Sequence, residues 1–187
     1  MARQRPGGIQ LGLERKGIQI WWQGYAGLKF LNLKKKALYL AKINVEKLPD
    51  FILLHCGGND IGDPSAPLAT LIATMKQDLN ILAELLPSTK FIWSQVLPRH
   101  SYRHSQNYDA MERARNKFNR SAAVHVLKMG GAYLKHPDLV KNIKQFLSSD
   151  GVHLNNLGNA LLLNDIQGGL EYFCQGLGSV FPDTLSP

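Results

Sequence analysis

A continuous apolar run of strand length, Phe51–His55 (FILLH), and a second strand, Phe91–Leu97 (FIWSQVL), flank a stretch with helical period. A strand that is apolar all round has no side to give to water. It belongs inside a parallel sheet covered on both faces. Between the two runs, residues 67–86 place Leu68, Leu71, Ile72, Met75, Leu79, Leu82 and Leu85 three and four residues apart. That spacing gives a helix one buried side. Strand, covering helix and second strand make a crossover unit, and this unit restricts the chain to an α/β fold with parallel strands.

The same rhythm extends in both directions. Ile18–Trp22 (IQIWW) reads as an earlier strand closed by Gly24 and Gly27, followed by a helix over 28–43. After Pro98 and a polar stretch come a helix over 108–121, a short strand over 123–127 and a helix over 137–147. A terminal helix over 157–173, interrupted at Gly168-Gly169, precedes a tail read as loop. These elements form one domain over 1–175 with a C-terminal tail over 176–187. Ligands in such folds bind beyond the carboxyl ends of the strands. Gly24–Gly27, Gly57–Asp60 and Pro98–His104 fall at that edge, and Asp150–His153 enters it from a loop.

The formal charge is +8, and it is unevenly placed. Residues 1–47 hold ten Lys or Arg against two Glu, and the other 140 balance to zero. Arg3, Arg5, Arg15, Lys16 and Lys34–Lys36 carry the excess, which either contacts a nucleic-acid backbone or is a solvated face. No apolar run reaches the roughly 18 residues of a membrane span. The basic start MARQRPGG leads into no apolar segment and is not read as a secretory signal, so the expected location is cytoplasmic or nuclear. Cys56 and Cys174 lack metal-ligand spacing and read as small buried apolar residues. His100 and His104 have no third ligand at a sensible spacing. No metal or other cofactor is implied.

Two segments carry chemistry. In Asp150-Gly151-Val152-His153 a carboxylate three residues before an imidazole can bind Nδ1, fix the tautomer and leave Nε2 as a general base. In Gly57-Gly58-Asn59-Asp60, directly after an apolar strand, the Asn59 amide can donate to a developing oxyanion. Gly58 relieves the turn, and Asp60 can accept backbone N–H groups that hold the loop. The same four residues also suit a plain turn that caps a helix. Gly27, and less well Gly24, either supplies a backbone N–H to the same oxyanion or only makes a turn.

Together these segments resemble the SGNH, or GDSL-like, hydrolase superfamily over about residues 17–173. Gly58-Asn59-Asp60 matches its Gly-x-Asn-Asp block, and Asp150 and His153 match its late Asp-x-x-His. The His153-Leu154-Asn155-Asn156-Leu157-Gly158 continuation is also similar, and so is the strand end Val96-Leu97-Pro98-Arg99. The closest flavour is the type carried by vertebrate transposon-derived genes. The resemblance implies a three-layer α/β/α, flavodoxin-like sandwich acting on a small carboxyl ester, with acetyl esters foremost. His153 and Asp150 would be the base pair, and Asn59 with the Gly27 N–H the oxyanion donors.

One block is missing. The superfamily's early Gly-Asp-Ser has no counterpart, and no serine precedes Ser65. Residues 1–16 resemble the helix that follows the nucleophile, so the expectation is a chain truncated at its N-terminus that lacks the first, interior strand. Its two neighbours would then re-pair directly or leave the fold weak. Ser94, within a strand, and Ser101, in a polar loop, lack the strand-to-helix elbow that presents a nucleophile. The reading is therefore an ester hydrolase domain inactive as given. The rival is a non-catalytic basic module that binds nucleic acid or a protein partner.

Overall fold

The structure is a computed structural model that describes residues 9–43 and 48–183. Four strands, β1 (Phe51–Leu54), β2 (Lys90–Ser94), β3 (Ala132–Leu134) and β4 (Val180–Phe181), form one parallel sheet in the order β1-β2-β3-β4. The helices are α1 (Phe30–Ile43), α2 (Leu68–Leu85), α3 (Tyr108–Lys128), α4 (Pro137–Lys141), α5 (Ile143–Phe146) and α6 (Asn156–Cys174). Among the described residues no helix is long and apolar enough to cross a membrane.

Side-chain alternation along the strands assigns two cores. Leu54, Phe91 and Trp93 face the layer of α1, α2 and α3, where Trp93 lies between Phe30 and Phe118 at ring-centroid distances of 6.1 and 5.6 Å. Ile92, Ala132 and Leu134 face the opposite way, onto Ile166, Leu170 and Phe173 of α6 and onto Leu13. Both faces of the sheet are covered, which makes a three-layer α/β/α fold and accounts for the apolar run of β1 and of Phe91–Trp93 in β2.

Several expectations are corrected. Ile18–Trp22 is extended but belongs to no strand. Ile18, Ile20 and Trp22 pack on the α6-side core, and the Gln10 amide takes the place of a neighbouring strand. It donates to the Ile20 carbonyl at 2.9 Å and accepts the Ile20 N–H at 2.6 Å. The segment therefore does not re-pair with β1. Of the first sixteen residues, 1–8 lie outside the described ones, and Leu13–Lys16 is a single 3₁₀ turn rather than part of a helix.

The short strand expected over 123–127 is the last part of α3. Arg115, Phe118, Asn119, Ala122 and Val126 are buried at helical spacing, so the buried stripe continues through it. The third strand instead follows Gly130 and Gly131. A Cβ on Gly131 would stand 2.3 Å from the Phe91 carbonyl oxygen, so only glycine lets this backbone approach β2. The tail expected as loop adds β4 beside β3. Residues 168 and 169 do not interrupt α6. Their missing side chains seat Phe181 and Leu134, which would lie 2.9 and 2.7 Å from added Cβ atoms. Cys56 and Cys174 are free thiols; Cys56 is half-buried and Cys174 is exposed, against the expectation of burial.

Beyond Gln95, whose N–H still donates to the Leu134 carbonyl at 2.9 Å, the chain is held by side chains rather than a ladder. Asn119 accepts the Val96 N–H and donates to the Val96 carbonyl, both at 2.9 Å, and Arg115 Nη1 donates to the same carbonyl at 3.0 Å. Glu112 pairs with Arg115 and accepts the Tyr102 hydroxyl at 3.0 Å, which ties in the following loop. Asn119→Ala leaves the buried Val96 N–H without a partner while Arg115 still serves the carbonyl. The expected loss is about 1–3 kcal/mol, measured by urea denaturation.

Candidate active site

The turn after β1 is built around glycine. Gly57 has φ +105°, and a Cβ there would meet Phe118 at 2.5 Å; one on Gly58 would meet the Arg99 guanidinium at 2.7 Å. Asp60 is buried, and both its oxygens accept the Phe30 N–H at 3.0 Å, at the start of α1. The carboxylate thus satisfies a free donor of the helix N-terminus and faces its positive end. Burial raises the Asp60 pKa, opposed chiefly by that N–H bond. The Asp60 side chain thus bonds the start of α1 rather than its own turn. Lys29 pairs with Asp63 one turn further on.

Asn59 is exposed and spans two segments. Its Nδ2 donates to the Leu28 carbonyl at 3.2 Å, and its Oδ1 accepts from Arg99 Nη2 at 3.0 Å. Gly27, in the adjoining turn, has φ +63° and open space around it. The structure thus joins the 27–28 turn to the 57–60 turn, and one Asn59 amide hydrogen remains for a ligand.

Arg99 leads from there to the second chemical segment. The backbone N–H groups of His100 and Ser101 both donate to the Gly151 carbonyl, at 2.8 and 3.1 Å. A Cβ on Gly151, which has φ +68°, would crowd the Cβ atoms of His100 and Ser101 at 3.3 and 3.4 Å. Glycine is needed here for both conformation and space. In the turn itself, Asp150 Oδ1 accepts the N–H groups of Val152 and His153 at 2.8 and 2.9 Å, and Oδ2 meets His153 Nδ1 at 2.6 Å. The carboxylate can only accept, so Nδ1 carries the hydrogen and Nε2 keeps its lone pair. The His153 side chain is 80% exposed.

The sequence motifs therefore converge through a strap, Asn59–Arg99–His100–Gly151–Asp150–His153, that they did not contain. The sequence marked Arg99 only as the end of the Val96-Leu97-Pro98-Arg99 strand-end segment. The signal that could have identified it is its place just past a strand end. No nucleophile completes the arrangement: among the described residues no serine hydroxyl is hydrogen-bonded to His153. Ser94 is buried at the end of β2 and bonded to His55 and His136 instead. Of the basic excess, Arg3 and Arg5 lie outside the described residues. Lys16 pairs with Glu171 and Lys34 with Asp78, each at 2.8 Å, and Lys36 lies over the Tyr25 ring.

No protein-family model matches the chain, and no curated protein matches it in sequence. Solved structures do match. An acetylxylan esterase from Geobacillus stearothermophilus, solved as a catalytic mutant, aligns at TM-score 0.63 and 16% identity over 85% of this chain and 75% of its own. A carbohydrate esterase family 3 protein from Talaromyces cellulolyticus aligns at 0.59 and 17%, over 87% and 75%. A GDSL-like lipase from Bacteroides thetaiotaomicron aligns at 0.57 and 16%, over 73% and 69%. The chain has the fold of GDSL-like esterases. At these identities the likeness speaks for the fold, and the site stands on its own geometry.

The His153 contact, followed by the two backbone N–H groups, pulls the Asp150 carboxyl down to about 2. A depressed carboxyl stabilises the folded turn above its ordinary pKa, and that contribution fades as pH falls through the folded value. Carbon-detected titration should place Asp150 near pH 2, and His153→Ala should raise it toward the ordinary carboxylate range.

Proposed function

We propose that this domain binds a small carboxyl ester, acetyl esters foremost, with the base and oxyanion half of an SGNH-type hydrolase site. His153, oriented by Asp150, is the general base. The free Asn59 amide hydrogen and the Gly27 N–H are the donors for the carbonyl oxygen as it gains charge. The observation that carries this reading is the Asp150–His153 pair, with Nε2 free and exposed, strapped by Arg99 to Asn59 at the carboxyl edge of the sheet. The type carried by vertebrate transposon-derived genes remains the finer family reading, resting on the sequence motifs.

Because no serine among the described residues is hydrogen-bonded to His153, the expected ester turnover is slow. Activating a serine and placing it beside the carbonyl supplies a large part of the rate in such sites. Where one triad member has been removed in serine proteases, about 10³–10⁴-fold acceleration over water remains. Two measurements test the proposal. In acetate titrations followed by NMR, shifts should cluster on the Asn59 side-chain amide, the Gly27 N–H and His153; shifts elsewhere, or none, sink the binding assignment. Hydrolysis of p-nitrophenyl acetate should stay close to the His153→Ala background, and turnover far above it that depends on His153 would overturn the inactive reading.

A further inference from the structure

A second polar chain crosses the same edge of the sheet. Leu54 pairs in register with Trp93, so His55 and Ser94, each the next residue, point to one face, that of α6. Leu134 pairs with Ser94 and faces α6, and His136, two residues on, returns to the same side. The carboxyl ends of three adjacent strands thereby bring His, Ser and His together. His55 Nδ1 lies 2.9 Å from Ser94 Oγ, Ser94 Oγ lies 2.7 Å from His136 Nε2, and His136 Nδ1 lies 2.8 Å from Asp165 Oδ2 on α6. Ser94 and His136 are both 0% exposed, whereas His55 is exposed.

The direction of every hydrogen follows from the carboxylate end. Asp165 accepts, so His136 Nδ1 bears hydrogen and its Nε2 accepts from the Ser94 hydroxyl. Ser94 Oγ then accepts from His55 Nδ1–H, which leaves a bare lone pair on His55 Nε2. We propose that Asp165, His136 and Ser94 form a proton relay that makes His55 Nε2 a second general base, distinct from His153, for a water or alcohol hydroxyl. As that O–H bond breaks, its electron pair stays on oxygen and its proton goes to His55 Nε2. The His55 Nδ1 proton passes to Ser94, and the Ser94 proton passes to His136 Nε2. The chain ends with neutral His55 in its other tautomer and imidazolium His136 against the Asp165 carboxylate.

The surroundings favour this placement of charge. The His55 ring is hemmed in by protein yet reachable by solvent. That desolvation, then the nearby His136 and Arg99, hold it down to about 4, so a cation is disfavoured on His55 itself. The Arg99 charge that acts on His55 also favours an anion left on the hydroxyl oxygen. The relay needs no ester, so it stands or falls apart from the function proposed above.

Nitrogen-15 histidine NMR on the whole protein tests it. With falling pH, His136 should become imidazolium in the same step in which His55 changes from the Nδ1–H to the Nε2–H tautomer. In Ser94→Ala, His136 should still titrate but His55 should no longer switch. Asp165→Asn, at a half-buried helix position, should move the joint step to lower pH. Above the step, diethyl pyrocarbonate should modify His55, mapped by mass spectrometry. The relay is overturned if His55 forms its own imidazolium, keeps Nδ1–H while His136 charges, or escapes modification above the step.

Discussion

A buried amide does the work of a strand at the carboxyl edge of the sheet. Past β2 the sheet ends, and the Val96 peptide would lie buried with its N–H and carbonyl unmatched. Asn119, with Arg115 behind it, supplies both partners from α3. The next residues are thereby aimed, and Arg99 reaches Asn59 while His100 and Ser101 reach Gly151. Without that clamp, the 57–60 turn and the 150–153 turn would be two unconnected loops.

The site is assembled from short, local rules joined at long range. Asp150–His153 is almost self-contained, because its carboxylate is saturated by its own turn. Asn59 is not: its orientation comes from Leu28 on one side and Arg99 on the other. His153 is thus fixed by turn geometry and Asn59 by tertiary packing. The two parts of the site depend differently on the rest of the molecule.

What was legible in the sequence follows this division. Strands covered on both faces announce themselves as apolar runs, so Phe51–His55 and Phe91–Leu97 were visible. Ala132–Leu134 and Val180–Phe181 are too short to show a period, and Ala123–Leu127 mimics a strand only if Phe118 and Asn119 are ignored. The Ile18–Trp22 segment has the composition of a strand but is tied by the Gln10 side chain. Asp150 and His153 stood out because they are partners three residues apart, and Asn59 stood out through its Gly-Asn-Asp block although its partners, Leu28 and Arg99, are distant in sequence. Ser94, His136 and Asp165 are far apart in the chain and meet only through strand register, which composition and spacing do not reveal.

Gly168 and Gly169 give the molecule an internal gauge. Because Phe181 and Leu134 sink into the space where two methyl groups would stand, α6 rides close to the sheet. The same helix carries Asp165, and a carboxylate has a short reach. The thickness of that layer therefore decides whether residue 165 touches the imidazole at residue 136 or only points toward it. Two side chains that are absent thus set the length of a hydrogen bond to which neither glycine belongs.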